Sequence, residues 1–475
     1  MNTPSHTCDV AIVGAGPAGM AAACVLAKNG RDVVVLDEQN GPGGQVYRGV
    51  DKVFDERPED LQSLGKEYAA GHALTRRFRE SGAWYRPGVS VWEIASEQEP
   101  ELAIGLIEDG LARMLYPKHV ILANGAMERP VPFEGWTLPG VMTVGAAQTL
   151  LKSSRLLPCE DVVLAGTGPL LYLYARQLKN LGVKPQAILD TGSSLSLRAR
   201  LLGLDALIAC PQSVWQGMQW VWSARSEMGL TKRVHALRAQ GDDRLSSISY
   251  EVRGRRHDLS TSLLLVHDGV IPNTWLSMSA GIRHRFDSAQ SCWVPEIQGA
   301  GMTSRQCISM VGDVVGIGGA QVAVLQGERV GHEVDEYLNT QHPPQVSVEP
   351  FVLRRQRRLR RFLDHAFPPT AEFQLPEDDT IVCRCEEVTA GEIRQVAARG
   401  CMGPNQSKAF TRCGMGPCMG RKCALTVSQL MAQFHGISVG EIGHYRIRPP
   451  IRPITVGQLA DMPRRLETVG PMGNL

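Results

Sequence analysis

Six of the chain's twelve cysteines lie in one segment, between Cys383 and Cys423. Cys383 and Cys385 are one residue apart, 32 residues follow, and Cys418 and Cys423 are separated by four. Iron–sulfur clusters need four converging thiolates, and cysteine pairs at both ends of a small helical segment can supply them. Zinc is the alternative, but zinc pairs are usually spaced by two to four residues. The spacing therefore favours an iron–sulfur cluster held by these two pairs.

Two other cysteines of this segment bear on the ligand set. Cys413 opens the glycine-rich stretch CGMGPC, which suits a loop wrapped around inorganic sulfide. Amide N–H groups of such a loop stabilise the reduced, more negative cluster. Cys413 can substitute for one of the four proposed ligands, whereas Cys401 is interpreted as a bystander beside a helix.

A glycine motif near the start of the chain predicts a dinucleotide site. The apolar run Val10–Val13 precedes a Gly-x-Gly-x-x-Gly motif, and a second apolar run ends on Asp37. The first glycine permits a sharp turn, the second allows a pyrophosphate close to the backbone, and the third lets the helix pack closely. The helix N–H groups meet the phosphates and the acid holds a ribose. The predicted contacts are Gly14, Gly16, Pro17, Ala18, Gly19, Asp37 and Glu38.

Three later stretches favour FAD over NAD at this site. GGQ (residues 43–45) follows the ribose acid, and HVILANGAMERP (119–130) resembles the strand and turn that join the two modules of two-dinucleotide-binding-domain flavoproteins. ISMVGDVVGIGGAQ places a Gly-Asp pair after an apolar strand and resembles the second FAD signature of that group, whose aspartate contacts the ribityl chain. The additional predicted FAD contacts are Gly44, Gln45, Arg48, Ala123, Gly125, Gly312 and Asp313.

A second motif of the same kind is degenerate. Gly166 and Gly168 are present, but Leu171 replaces the third glycine, and Asp190 ends the following strand. The motif predicts a retained nucleotide-binding fold in which NAD binding is doubtful, and Asp190 would repel the 2′-phosphate of NADP. The chain also lacks any Cys-x-x-Cys pair, which argues against disulfide reduction.

Composition and charge exclude several other functions. The 475 residues predict about three domains, and 50 basic against 48 acidic residues give a formal charge of +2. Such a balance offers no electrostatic footprint for nucleic acid. We see no signal peptide and no apolar run of membrane-spanning length, so we expect a cytoplasmic protein that is not transmembrane. A peripheral position at the inner membrane, through a complex, is compatible with this expectation.

These motifs predict an α/β fold with two Rossmann-like modules, one inserted in the other, and a small C-terminal helical domain. We assign 1–125 plus 280–340 to FAD binding and 126–280 to the degenerate module. A linker and basic amphipathic helix (341–376), the cysteine domain (377–435) and an extended Pro-containing tail (436–475) complete the chain. The basic helix is more typical of a solvated or subunit-facing helix than of one that binds an acidic partner or anionic lipid.

The order of the motifs resembles one family over almost the full length. EGWTLPGVMTVGAAQTLL (134–151), GGQVYR (43–48) and CGMGPCMGRKC (413–423) are similar to signatures of the A subunits of bacterial opine oxidases, the B subunits of hydrogen cyanide synthases and the subunits of dye-linked D-hydroxyproline and proline dehydrogenases. The cysteine segment resembles the bacterioferritin-associated ferredoxin type of [2Fe–2S] domain, with the last pair spaced by four residues instead of two.

The resemblance implies an oxidoreductase that acts on CH–NH or CH–NH₂ donors as part of a hetero-oligomer. A glycine-oxidase-like, FAD-containing β subunit would oxidise an amino acid or amine. A small third subunit, together with an FMN at the interface between subunits, is a further possibility. The present chain would pass electrons through FAD and the cluster to a quinone or dye. No catalytic residue is assigned, because no acid–base pair for amine oxidation is evident.

Two other functions remain open, and the substrate is undetermined. One is a self-contained NADH-dependent ferredoxin-type reductase, and the other is an assembly subunit whose cofactors are vestigial. Opines, glycine, proline and hydroxyproline all fit the same electron-accepting chain, because their discrimination would lie in the partner.

Overall fold

The computed structural model describes residues 6–95, 101–158, 161–340, 342 and 349–462. Most of the expected Pro-rich linker (342–350) and the last residues of the expected tail (463–475) lie outside the described residues. No helix among the described residues is long and apolar enough to cross a membrane.

The strands of the first half are β1 His6–Val13, β2 Val33–Asp37, β3 Trp84–Pro87, β4 Ser90–Ile94, β5 Ile104–Glu108, β6 Leu111–Leu122, β7 Ala126–Glu128, β8 Val141–Thr143, β9 Val163–Thr167, β10 Ala187–Asp190 and β11 Leu230–Lys232. The later strands are β12 Val234–Gln240, β13 Ser247–Val252, β14 Arg255–Ser260, β15 Leu264–Asp268, β16 Val270–Pro272, β17 His284–Asp287, β18 Cys292–Pro295, β19 Ile308–Met310, β20 Ile381–Cys383 and β21 Val388–Thr389.

The first helices are α1 Pro17–Lys28, α2 Val50–Glu56, α3 Asp60–Leu64, α4 Lys66–Ala69, α5 Gly71–Arg79, α6 Val144–Ser154, α7 Pro169–Asn180, α8 Leu197–Ala209 and α9 Pro211–Glu227. They are followed by α10 Trp275–Ser279, a 3-10 turn at Gly312–Val314, α11 Ala320–Thr340, α12 Phe351–Ala366, α13 Ala371–Gln374, α14 Ala390–Ala398, α15 Pro404–Thr411, α16 Ala424–His435, α17 Val439–Ile442 and α18 Val456–Ala460.

The first sheet gathers strands from both sides of the degenerate motif. Its order is β3-β2-β1-β6-β5-β4, with β19 paired to β6. Strands β1, β2, β6 and β19 are parallel, so their carboxyl ends meet at one edge. That edge carries the turns that follow Val13, Leu122 and Met310, and parallel sheets bind ligands at such an edge.

Helices α1 and α11 pack closely on this sheet. A Cβ at Gly327 of α11 would lie 2.2 Å from the Ala18 carbonyl oxygen of α1, so glycine is what permits the approach. Because α11 follows β19 and α1 follows β1, this contact joins the early and late parts of the chain into one body.

The degenerate motif lies in a second parallel sheet of order β11-β10-β9-β15-β8. An antiparallel sheet, β12-β13-β14, accompanies it, and the two share a core that includes Val163, Leu264 and Ile248. The molecule is thus an α/β protein with two parallel-sheet modules, as the sequence predicts.

The C-terminal part is a small helical unit built around the cysteines. Helices α14, α15 and α16 enclose a core of Val382, Ile393, Val427 and Leu430. The tail differs from the expectation of a continuous extended chain, because it contains α17 and α18. Each of these helices begins with a capping box, which satisfies N–H groups at the start of a short helix.

Candidate functional site

The carboxyl edge of the first sheet opens into a cavity of about 1900 Å³. Typical small-ligand pockets hold roughly 300–1,000 Å³, so this cavity has room for a dinucleotide and for a second group beside it. Its wall combines residues of both parallel-sheet modules with residues of the cysteine unit. The cavity is therefore where the separate sequence motifs converge.

The first glycine loop has the close contacts that a dinucleotide cradle needs. Gly14 has a φ of +107°, and a Cβ there would lie 2.5 Å from the Ala123 carbonyl oxygen. A Cβ at Gly19 would lie 2.0 Å from the Gly14 carbonyl oxygen, so α1 can approach β1 only with glycine at this position. No side chain of the described residues caps α1, which leaves its first N–H groups facing the cavity for an anion.

The ribose acid predicted from the sequence stands at the end of β2. Asp37 is buried; its Oδ2 accepts a hydrogen bond from the Ala15 N–H at 2.7 Å, and its Oδ1 accepts one from the Gln39 N–H at 2.8 Å. Burial raises the pKa of Asp37, while these two hydrogen bonds act in the opposite direction. The carboxylate is therefore oriented beside the glycine loop.

The two later FAD stretches reach the same edge. Gly312 lies against α1, where a Cβ would be 2.8 Å from the Ala18 Cβ. Asp313 Oδ1 accepts hydrogen bonds from the N–H groups of Gly318 and Gly319 at 2.9 and 3.0 Å, and this fixes the loop before α11. Asn124, between two predicted contacts, has a buried Oδ1 without a hydrogen-bond partner among the described residues.

The segment after the ribose acid folds over the glycine loop. Gly44 has a φ of +60°, and a Cβ there would lie 3.0 Å from the Gly16 Cα. Arg48 Nη1 donates to the Gln39 side chain, and its Nε is buried without a partner among the described residues. Arg48 lines the cavity, so this buried donor is available to a ligand bound there.

Lys152 on α6, which was not among the predicted site residues, holds this segment. Its Nζ donates to the carbonyl oxygens of Gln45 and Val46 at 3.2 and 3.0 Å and to Gln148 Oε1 at 2.9 Å. Burial lowers the pKa of Lys152 to about 7. Lys152 lies in the last turn of α6, where basic residues are common, so its place in the sequence did not point to this role.

Of the predicted dinucleotide contacts, all but one line the cavity; these are Gly14, Gly16, Pro17, Ala18, Asp37, Glu38, Gly44, Gln45, Arg48, Ala123, Gly125, Gly312 and Asp313. Gly19 lies beneath the loop, where it allows the helix to approach. The close glycine contacts, the free helix N-terminus and the unpartnered Arg48 and Asn124 atoms fit a bound FAD.

Five of the six clustered cysteines lie in two neighbouring groups. The thiols of Cys383, Cys413 and Cys423 are buried and lie within 4.8 Å of one another. Cys385 and Cys418 form a second pair whose thiols are hydrogen bonded, and the Cys418 N–H also donates to Cys385. The four predicted ligands thus occur as one buried and one more exposed pair, with Cys413 beside the buried pair.

The protonation of the buried thiols reflects their closeness. Hydrogen bonds from Cys413 and Cys423 lower the pKa of the Cys383 thiol, and the same contact with Cys383 raises the pKa of Cys423. The opposite directions follow from one set of short sulfur–sulfur contacts, and three thiols this close together offer a set of soft ligands to a metal. Cys401 is buried in the core of the unit, away from this group, and its carbonyl accepts a hydrogen bond from His435 Nε2.

The cysteine unit borders the dinucleotide cavity directly. Cys418, Arg421 and Lys422 line it together with the glycine loop. Trp275 Nε1 donates to the Met419 carbonyl oxygen at 3.0 Å, and Arg452 of the tail forms an ion pair with Glu38. The cysteine loop is thus held by a residue of α10, and the tail that follows the unit is held by a residue of the first module.

The degenerate module is arranged differently at the equivalent edge. Leu171 is fully buried, and the Tyr172 hydroxyl donates to Asp190 Oδ2 at 2.6 Å, in the place where a ribose would bind. The segment after α12 packs at this edge, where the Thr370 N–H donates to Asp268 and the Thr370 hydroxyl contacts Thr191. The start of α7 still lines the cavity at Gly168 and Pro169, so the chain's own side chains occupy part of the equivalent edge and leave the rest open.

Comparisons with known proteins agree with this geometry. Residues 8–327 match the family profile described as pyridine nucleotide-disulphide oxidoreductase, and residues 377–462 match the sarcosine oxidase A3 domain. The A subunit of opine oxidase from Rhizobium meliloti is 39% identical, over 96% of this chain and 98% of the relative. The hydrogen cyanide synthase subunit HcnB of Pseudomonas aeruginosa is 31% identical, over 93% of this chain and 96% of the relative.

A solved structure shows the same fold over almost the whole chain. The L-proline dehydrogenase from P. horikoshii superposes with a TM-score of 0.69 at 18% identity, covering 95% of this chain and 79% of that one. Thioredoxin reductase of T. acidophilum matches 70% of this chain and 100% of its own length, with a TM-score of 0.52 and 16% identity. The two-module flavoprotein fold and the added helical unit are thus both present in known proteins.

Proposed function

The chain belongs to the family of the opine oxidase A subunits, and from this premise we propose that it is the electron-transfer subunit of a heteromeric dehydrogenase for an amino acid or secondary amine. The observation that carries the proposal is the shared cavity. Cys418 of the cysteine loop and Gly16 of the dinucleotide loop line one continuous space, which would bring the two proposed centres near one another, as electron transfer between them requires.

The proposed cofactors are FAD and a [2Fe–2S] cluster. When bound, FAD supplies two-electron chemistry and the cluster supplies one-electron chemistry. The N–H groups at the start of α1 would hold the pyrophosphate, and Asp37 would hold a ribose. Arg421 and Lys422, which line the cavity beside Cys418, place positive charge between the two sites.

We assign the cluster to Cys383, Cys385, Cys418 and Cys423. In the structure these thiols form two pairs, Cys383 with Cys423 and Cys385 with Cys418, which match the requirement for two thiolates at each iron. Cys413 is close enough to the buried pair to replace one of its members. Iron and acid-labile sulfide are measured in Ser variants of Cys418, Cys413, Cys423 and Cys401. We expect loss of iron in Cys418→Ser and full iron content in Cys401→Ser. If Cys413→Ser lost iron and Cys423→Ser retained it, Cys413 would be a ligand in place of Cys423. Zinc in place of iron and sulfide would refute the cluster.

The family supplies the proposed partners. They are a glycine-oxidase-like, FAD-containing β subunit, a small third subunit, and an FMN held where the subunits meet. The acceptor would be a quinone or an artificial dye, and the complex would act in the cytoplasm or at the inner membrane. Relatives are named for opines, hydrogen cyanide synthesis and sarcosine, which supports an amino-acid-like substrate oxidised by the partner.

We propose a domain division that follows this function. Residues 1–125 with 280–340 would bind FAD, 126–280 would form the degenerate module, 341–376 the connection and 377–435 the cluster domain. The pairing of β19 with β6 supports the discontinuous first domain. The ion pair of Arg452 with Glu38 supports a role for the tail (436–475) in fastening the cluster domain.

The competing function is a self-contained NADH-dependent reductase, and one experiment separates the two. The purified chain is mixed anaerobically with NADH, and the chain with its partner subunit is mixed with an amine substrate, while flavin absorbance is recorded. We expect no bleaching by NADH and bleaching by the amine only when the partner is present. Rapid bleaching of the isolated chain by NADH would refute the proposal, and colourless, iron-free protein after anaerobic purification would indicate an assembly role.

A further inference from the structure

Helices α8 and α9 expose an unusual amount of apolar surface. On α8, Leu197, Leu201, Leu204 and Ile208 are 75%, 60%, 62% and 77% exposed. At 3.6 residues per turn these four side chains fall within about 60° of one another around the helix. They form a continuous outward stripe, which single exposed hydrophobic residues do not.

Helix α9, which follows α8 after Cys210, has an exposed apolar stripe of its own. Trp215, Met218 and Trp222 are 61%, 57% and 67% exposed. Their spacing also places them within about 60° of one another. We call the seven side chains of the two stripes the α8–α9 face.

The opposite side of α8 is packed in the ordinary way. Ala199 and Ala206 are buried, and a Cβ at Gly203 would lie 3.1 Å from the Phe362 ring of α12. Arg355 Nε donates to the Ala209 carbonyl oxygen. The small residues of α8 face inward against α12, and its large apolar residues face outward.

Basic side chains border this face. Arg198 and Arg200 are exposed and flank the α8 stripe at about +100° and −60°. The acid within α8, Asp205, is neutralised by Arg358 of α12. Arg354 at the exposed end of α12 adds further positive charge beside Phe351, which is 65% exposed.

We propose that the α8–α9 face docks on an anionic phospholipid bilayer. Leucine, isoleucine and tryptophan side chains that project from a helix, with arginines at their flanks, match the pattern of interfacial amphipathic helices. The arginines pair with lipid phosphates while the apolar side chains enter the headgroup–acyl boundary. The inference goes beyond electron transfer, and its measurement requires no turnover.

The test is flotation of the full chain, with any protein that co-purifies, on vesicles. Mixed phosphatidylcholine–phosphatidylglycerol vesicles are compared with pure phosphatidylcholine, at low and high salt. We expect binding to the anionic vesicles that weakens as salt increases, and little binding to the neutral ones. Absence of binding to the anionic vesicles would overturn the proposal.

Matched variants locate the contact. Leu201→Ser with Ile208→Ser should reduce vesicle partitioning more than about tenfold, and Arg198→Glu with Arg200→Glu should have a similar effect. The controls are Leu111→Ser with Leu156→Ser, which changes exposed leucines elsewhere, and Arg244→Glu with Arg255→Glu, which changes charge on the antiparallel sheet. Equal loss in a control and its matched variant would refute this face as the contact.

Dye-linked activity and the composition of the complex show whether the α8–α9 face binds a partner subunit instead of lipid. We expect the four α8 substitutions to leave both unchanged, because a soluble dye needs no membrane. If the α8 variants bound vesicles normally but lost their partner subunit, the face would be a protein interface and the proposal would be wrong.

Discussion

The two parallel-sheet modules share their strand–turn–helix–strand order but differ at the edge where a nucleotide would bind. In the first, Gly19 lets α1 approach β1, and among the described residues the hydrogen-bond donors to the Asp37 carboxylate are backbone N–H groups. In the second, Leu171 is buried at the corresponding position, and the Tyr172 hydroxyl occupies Asp190. The difference lies in two side chains, Leu171 and Tyr172, which stand in the second module where the first has a glycine and an acid without a side-chain donor among the described residues.

The strongest way to break this contrast is to place the second module's residue in the first. In Gly19→Leu, the new side chain would begin 2.0 Å from the Gly14 carbonyl oxygen. The loop must shift, and a loss of only about 1.4 kcal/mol in binding already lowers flavin affinity tenfold. We expect more than about a tenfold loss of bound flavin, measured by absorbance after gel filtration.

The control for this variant is Gly41→Leu, because Gly41 has open space around its Cα and an ordinary φ. It should retain wild-type flavin content. Retention of flavin by Gly19→Leu would contradict the assignment of the first loop as the cradle.

A change at the corresponding position of the second module tests whether Leu171 serves core packing. Leu171→Ala would open a cavity in the core, and buried leucine-to-alanine changes cost about 2–5 kcal/mol of unfolding free energy. Urea denaturation should show this loss while flavin content stays at the wild-type level. Leu156→Ala, at a residue that is 57% exposed, should have almost no effect. Release of the flavin by Leu171→Ala under native conditions would contradict the assignment of flavin binding to the first module.

Acid should lower the stability of the protein through His119, a histidine buried in the first sheet. His119 on β6 lies within 2.9 Å of the Ser309 hydroxyl, and burial lowers its pKa to about 3. Below about pH 6.5 the unfolded chain binds a proton that the folded chain does not, so stability rises with pH up to that value and is constant above it. Lowering the pH from about 6.5 to about 5 should therefore reduce the free energy of unfolding by about 2 kcal/mol.

Urea unfolding of wild type and His119→Gln at these two pH values measures the effect. The variant should show a flatter pH dependence by that amount. An unchanged pH dependence in His119→Gln would contradict this contribution.

The smallest predicted effect concerns the hydroxyl that occupies Asp190. Tyr172→Phe removes one buried hydrogen bond, for a loss of about 1 kcal/mol in unfolding free energy. Asp190 keeps the Gly192 N–H as a donor, so the fold should persist. We expect no reduction of the flavin by NADH in this variant, recorded as flavin absorbance. NADH-driven bleaching would mean that the Tyr172 hydroxyl alone prevents NADH from binding at the second module.

The sequence predicted the glycine loop and the end of β2 well, because their residue types follow from local geometry. A positive φ at Gly14 and a helix against a strand at Gly19 leave few alternatives. The basic segment was also correctly expected to be helical. Such features depend on short stretches of chain whose physical requirements can be recognised one at a time.

Features that join distant segments were not predictable in the same way. Lys152 reaches the Gln45 segment from another module, and Arg452 reaches Glu38 from the tail. The outward direction of the α8 stripe depends on which face α12 covers, and a helix wheel alone would place those leucines in a core. Cys413 was predicted as a possible substitute ligand, but its place beside Cys383 and Cys423 depends on how the loop between them folds.

The central claim is that electrons from an amine pass through a flavin site and a cysteine-held cluster that border one cavity. It is tested most directly by anaerobic stopped-flow absorbance of the complex mixed with its amine substrate, for wild type and Cys418→Ser. We predict flavin bleaching followed by cluster bleaching in wild type. In Cys418→Ser, the flavin should still bleach, but the later phase and electron delivery to the acceptor should be lost. Unchanged delivery to the acceptor in an iron-free Cys418→Ser complex would contradict the account.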